Sequence, residues 1–197
     1  LAEFAGWKKD GVLVGNGSNE LLQASLMVLL NGRTRVAIPS PTFTVYRLIS
    51  TVLGAKVIDI PLSADMRYDV DALLSRSREG AAGVLIVNTP NNPTGSVLKN
   101  EDLERILKEF PGFVLLDEAY YEFWGHSALP LLESYPRLII TNTILKSLQN
   151  PLWPAKGGFD LNNRILYTTH MKIFCLTVKY IANMSGNQPG NFWHVAT

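Results

Sequence analysis

Through the first 143 residues, short apolar runs alternate with longer stretches whose apolar positions recur every three or four residues. The short runs are Arg35–Ile38, Lys56–Ile60, Val84–Asn88, Phe113–Asp117 and Leu138–Thr141. Each shows little polar alternation and is bounded by Gly, Pro or Asn, the pattern of strands covered on both faces. The longer stretches, Ser18–Leu30, Thr42–Leu53, Val70–Arg78 and Glu101–Phe110, predict helices. Asp69 and Asn100 stand at N-cap positions, and Glu101 and Asp102 suit a first turn, where the helix dipole favours negative charge. Strand and helix in alternation predict an α/β fold: a mostly parallel sheet between helical layers, a three-layer sandwich.

The rhythm is lost near Gln149. Residues 1–150 carry 16 acids and 14 bases, whereas residues 151–197 carry one acid, Asp160, and four bases, Lys156, Arg164, Lys172 and Lys179. Within this tail Ile173–Ala182 fits a strand or a buried helix turn, because a short apolar run has no diagnostic period. Two readings of the tail stand side by side, an irregular C-terminal extension and a change of coding frame near this point. The chain opens on Leu1 and not Met, so a start further upstream is expected and the chain reads as a fragment.

Composition narrows the function. Of 197 residues, 47% are hydrophobic and 18% charged, which is globular composition for a chain able to bury roughly 70% of its unfolded surface. A net charge of +1 gives no electrostatic footprint for nucleic acid or an anionic membrane, and neither is expected as a partner. The apolar stretch Leu21–Leu30 is too short to span a bilayer. One cysteine, Cys175, excludes an internal disulfide framework and suits a reducing compartment, so a cytoplasmic location is expected.

Four constellations carry chemistry. Gly15-Asn16-Gly17-Ser18-Asn19-Glu20 follows the apolar run Val12–Val14 and opens a helix, where glycines, free N–H groups and the dipole suit a phosphate. The dinucleotide fingerprint and the Lys-Ser/Thr ending of a nucleotide P-loop are both absent, which disfavours NAD and ATP. Asn88-Thr89-Pro90-Asn91-Asn92-Pro93-Thr94-Gly95 is a rigid polar turn directly after a buried strand, at the sheet end where α/β proteins bind ligands. An X-Pro bond there can be cis, which would fix the direction of Asn92. Asp117 ends an apolar strand, Leu115-Leu116-Asp117-Glu118-Ala119-Tyr120, and a carboxylate there needs a cation or several donors. A divalent-cation ligand is the alternative use, although His126, His170, His194 and Cys175 lack metal-ligand spacing, and no metal is expected. Lys146, in Thr143-Ile144-Leu145-Lys146 after the last strand, can be desolvated and act as an amine nucleophile.

In this order, these residues, with Pro39-Ser40-Pro41-Thr42-Phe43, closely resemble the fold-type I pyridoxal-phosphate aminotransferases over about residues 1 to 148. The resemblance implies residues 1–148 as a partial cofactor-binding large domain and residues 149–197 as a divergent tail. It implies pyridoxal 5'-phosphate (PLP) as cofactor and amino-group transfer between L-histidinol phosphate, or a similar amino acid, and 2-oxoglutarate. Ser18 and Asn19 would give backbone N–H groups to the cofactor phosphate, and Thr143 a hydroxyl. Phe43 would stack on the pyridine ring, Asn92 and Tyr120 would bond its phenolic oxygen, and Asp117 would keep its nitrogen protonated. Lys146 would form the Schiff base and carry the proton. Small-molecule partners and a homodimer follow from the same resemblance.

The chain departs from that family beside Lys146 and beyond it. Leu145 stands where a serine is usual, and Pro154 where an arginine clamps the phosphate. No counterpart of the small C-terminal domain is recognisable. Two alternatives follow: an inactive truncated or frameshifted fragment, and a related decarboxylase acting on a phosphorylated amino acid.

Overall fold

The structure, a computed structural model, describes residues 7–30, 34–143 and 173–177. Its strands are β1 (Val12–Asn16), β2 (Arg35–Ser40), β3 (Lys56–Pro61), β4 (Ala82–Asn88), β5 (Phe113–Asp117), β6 (Leu138–Thr143) and β7 (Ile173–Thr177). Between them lie α1 (Ser18–Leu29), α2 (Val45–Val52), α3 (Val70–Glu79), α4 (Asn100–Glu109) and the short α5 (Tyr121–Trp124). All seven strands join one sheet in the order β1-β7-β6-β5-β4-β2-β3. The five from β6 to β3 are parallel, while β7 runs antiparallel to both β6 and β1. A parallel sheet needs long crossovers, and α2, α3 and α4 lie in three of them.

Strand side chains alternate between two apolar layers. On one face Val36, Ile38, Val84, Ile86, Leu115 and Ile139 pack with Leu21, Leu22 and Leu26 of α1 and Tyr46 of α2. On the other, Ala37, Leu85, Val87, Val114, Leu116, Leu138 and Ile140 pack with Leu73 and Leu74 of α3 and Leu103, Ile106 and Leu107 of α4. Burying a side chain such as Leu22 or Ile106, both at 0% exposure, contributes about 2 kcal/mol. The helices run along these faces because their apolar residues recur at 21, 22, 26 and at 103, 106, 107. The three-layer α/β sandwich expected from the sequence is what forms.

Boundaries shift in places, each for a local reason. Asp69 caps α3 as predicted, accepting from the Ala72 N–H at 2.9 Å. Asn100 does not cap α4; it is the first helical residue, and its Nδ2 donates to the Ser127 carbonyl at 3.2 Å. The helix predicted from Thr42 begins at Val45, since the Thr42 hydroxyl is taken by other partners. In the tail, the ambiguous run resolves as the strand Ile173–Thr177.

Candidate active site

Asn88, Asp117 and Thr141 end or nearly end β4, β5 and β6, and they pair directly across the sheet: Asn88 with Asp117, Asp117 with Thr141. Side chains at one register level of a parallel sheet point to the same face. Counting back two residues along each strand reaches Ile86, Leu115 and Ile139, so the row lies on the face that α1 and α2 cover. Thr143, two residues beyond Thr141, shares that face. All four are buried, Asn88 at 2%, Asp117 at 4%, Thr141 at 0% and Thr143 at 4%. The Thr141 and Thr143 hydroxyls have no hydrogen-bond partner among the described residues. Leaving such a group dry and unpaired costs about 1–3 kcal/mol, so these two are available to a ligand.

The same sheet edge holds the start of α1. Gly15 of β1 and Thr143 of β6 both pair with Phe174, one on each side of β7, so they stand level across it. Two strand spacings, roughly 10 Å, separate them. Gly15 is required by close approach: a Cβ there would lie 2.8 Å from Glu20 Oε2 and 2.9 Å from Leu21 Cδ2. Gly17, the N-cap of α1, has φ +117°, a conformation side-chain-bearing residues rarely adopt. The N-cap residue Gly17 brings no side chain to α1, and the first N–H groups, those of Ser18 and Asn19 among them, lie at its positive dipole end.

Two loops frame the row and are tied to each other. The Thr42 hydroxyl lies 2.8 Å from Asn88 Oδ1 and 2.7 Å from Asn91 Oδ1. One hydrogen serves only one of these oxygens. Asn91 spends its amide hydrogens on the Pro41 carbonyl at 3.0 Å and Thr94 Oγ1 at 2.7 Å, which fixes its oxygen toward Thr42. The Asn88 amide nitrogen has no partner among the described residues, and turning this amide over gives it Thr42. The Ser40–Pro41, Thr89–Pro90 and Asn92–Pro93 bonds are cis. Tyr68, from the loop after β3, donates to the Asn88 carbonyl.

The two acids at the end of β5 are held differently. Asp117 Oδ2 accepts from the Tyr46 hydroxyl at 2.8 Å and Oδ1 from the Ala119 N–H at 3.0 Å. Glu118 accepts from Ser127 Oγ at 2.7 Å and the Ala128 N–H at 2.6 Å. Burial pushes the Glu118 carboxyl up to about 7 against these two bonds, with a smaller push from Asp117. Burial, then the Asp117 charge, holds the Tyr46 hydroxyl well above its ordinary value. Burial likewise raises Tyr68. Both tyrosines therefore stay protonated and act as donors.

Of the residues singled out in the sequence, Asp117 and Thr143 share one face, and Ser18 and Asn19 sit at the same sheet edge. Phe43 is half-buried just before α2, edge-on to Tyr46 with centroids 5.5 Å apart and planes at 82°. Asn92 is half-buried in the loop anchored by Asn91, and Tyr120 is half-buried with its ring 6.2 Å from Phe123. Lys146 lies outside the described residues, as do Leu145 and Pro154. Sequence reasoning missed the roles of Thr42, Tyr46 and Tyr68. Tyr46 follows Phe43 by three, one helical turn, and that spacing was the available signal.

Polar groups collected at the carboxyl edge of a parallel sheet, beside a helix that opens on a glycine N-cap, stand where α/β domains bind ligands. The family described as aminotransferase class I and II matches residues 1–151, and the chain belongs to it. It is 39% identical over 163 residues to the histidinol-phosphate aminotransferase of Prosthecochloris aestuarii, covering 82% of this chain and 45% of that protein. Against the protein of the same name from Chlorobium luteolum it is 40% identical over 148 residues, 75% of this chain and 42% of the other. The fold matches the crystal structure of histidinol-phosphate aminotransferase from Sinorhizobium meliloti in complex with pyridoxal-5'-phosphate with a TM-score of 0.73 at 20% identity. That match covers 96% of this chain and 48% of the other. The chain thus spans less than half the length of these relatives.

Proposed function

We propose that this chain is the PLP-binding part of an aminotransferase that moves an amino group between L-histidinol phosphate, or a similar amino acid, and 2-oxoglutarate. The relatives' names support the substrate pair, and the buried row Asn88–Asp117–Thr141, continued by Thr143, is the observation that carries the reading. The residues fit the cofactor. A phosphate matches a helix that opens on a glycine N-cap, α1, with the unpartnered Thr143 hydroxyl on the same edge. A protonated ring nitrogen matches a buried carboxylate held by donors on both oxygens. When bound, PLP supplies an electron-accepting ring for the pair left at the substrate's α-carbon.

The chain's residues do the rest. Ser18 and Asn19 give backbone N–H groups and Thr143 a hydroxyl to the phosphate. Phe43 covers the ring, Asn92 and Tyr120 bond its phenolic oxygen, and Asp117 holds the proton on its nitrogen. Lys146 anchors the cofactor covalently and moves the proton at the α-carbon. Residues 1–148 form the partial cofactor domain and 149–197 the divergent tail. A cytoplasmic setting and a homodimer complete the proposal. Among the described residues no helix is long and apolar enough to cross a membrane.

Treatment with PLP, borohydride reduction and peptide mapping tests this. Label on Lys146 alone is expected. Label spread over surface lysines, or none, overturns it and favours the inactive-fragment reading, while CO₂ release without keto-acid formation favours the decarboxylase.

A further inference from the structure

Tyr46 is almost wholly buried, at 1% exposure, among Leu21, Leu22, Ile38 and Ile86. A phenylalanine would fill the same core without the cost of drying a hydroxyl. The hydroxyl has one partner of consequence, Asp117 Oδ2, at 2.8 Å and 71 residues away in sequence. From α2 it reaches one oxygen of the carboxylate, while the Ala119 N–H at 3.0 Å, from the segment after β5, takes the other. Two donors from separate elements fix both the plane and the rotation of a carboxylate. The ring of Tyr46 also backs Phe43 edge-on. One side chain thus touches both residues that would grip opposite features of the ring.

We infer that Tyr46 is a positioning residue for Asp117: its hydroxyl orients the carboxylate and keeps it ionised, so that the carboxylate can hold a proton on the cofactor's ring nitrogen. The cofactor half of this rests on the aminotransferase reading; the link between hydroxyl and carboxylate does not. A donor to a carboxylate favours its charged form, whereas burial and a neighbouring acid oppose it. Among the described residues, the titratable groups that interact with Asp117 include Tyr46 on α2, Tyr68 in the loop after β3 and Glu118 beyond β5. Tyr68 bonds the Asn88 backbone and Glu118 bonds Ser127 and Ala128, so neither replaces the Tyr46 contact.

Tyr46→Phe removes the oxygen and keeps the ring. In the cofactor-free chain, a carboxyl NMR titration should show the Asp117 pKa rising by about one to two, a 10- to 100-fold change in its protonation equilibrium. An unmoved pKa overturns the inference. PLP affinity, read by cofactor fluorescence, should weaken by about tenfold at neutral pH. Wild-type affinity alongside a shifted pKa also overturns the positioning role. Should Tyr46→Phe fail to fold, Asp117→Asn reads the same link from the other side. One buried tyrosine should then ionise at lower pH in an absorbance titration, and an unchanged tyrosine titration would refute the link. If the unaltered chain takes up no PLP, the aminotransferase reading falls, and the carboxylate titration still decides whether the hydroxyl governs Asp117.

Discussion

Asp117 and Glu118 are consecutive acids, buried at 4% and 1%, yet they serve different layers of the molecule. Asp117 points to the α1–α2 face, where Tyr46 meets it. Glu118 turns toward the segment whose Ala128 and Leu132 pack with the α3–α4 layer. There its carboxyl takes the Ser127 hydroxyl, whose oxygen in turn accepts the Leu129 N–H at 3.1 Å at the start of the 3₁₀ turn Leu129–Leu131. Where β5 ends, one acid stays on the α1–α2 face and the next closes a clasp on the other side. Burial does not distinguish the two acids; the face each one meets does.

Exchanging each acid for its amide should separate them most. Asp117→Asn is expected to weaken PLP binding by about 10²–10³-fold, since it removes one partner of a buried charge pair. Its urea unfolding midpoint should move little. Equal losses of affinity from Asp117→Asn and Glu118→Gln would break the contrast.

The next effect is a pH dependence carried by Glu118. Its carboxyl is raised from 4.5 to about 7 in the folded chain, so folding takes up a proton between those values. The stabilisation is full below the lower value and is lost as pH rises through the upper one, on the order of 3 kcal/mol in all. Urea unfolding from pH 4 to 8 should show this decline, and Glu118→Gln should flatten it. A decline that persists in Glu118→Gln assigns the dependence elsewhere.

The smallest effect is truncation of the clasp at a pH where Glu118 is neutral. Glu118→Ala leaves the Ala128 N–H and the Ser127 hydroxyl without their acceptor, which should cost about 2 kcal/mol by urea unfolding at pH 5. PLP affinity should stay within about twofold of the unaltered chain. A larger fall in affinity would mean the two faces communicate.

The parallel core of the fold was legible because its strands are aliphatic and unalternating, and only a two-sided burial accounts for runs such as Val84–Val87 or Val114–Leu116. Asp117 was legible because an acid at the end of such a run stands out. Tyr46 was not: its position reads as core, and it is core, while its hydroxyl finds a partner no local pattern could announce. Thr42 looked like the beginning of a helix, yet its side chain is committed to the Asn88–Asn91 loop, so the helix waits for Val45. Asn100 failed as a cap for a similar reason, its amide being drawn to Ser127. The tail strand was ambiguous because a run of five residues, Ile173–Thr177, has no period to read, and its antiparallel direction depends on neighbours far along the chain.

The insertion of β7 between β1 and β6 also orders events in time. Among the described residues β1 has β7 as its only strand neighbour, and Val12 stands 165 positions before its partner Thr177. At a synthesis rate of about 5–20 residues per second, the segment from Arg35 to Thr143 is complete before that partner leaves the ribosome. β1 waits on the order of ten seconds for its place in the sheet. Asp117 and its neighbours can therefore be assembled on a nascent chain whose Gly15 edge is still open, and the start of α1 is locked against the sheet only afterwards.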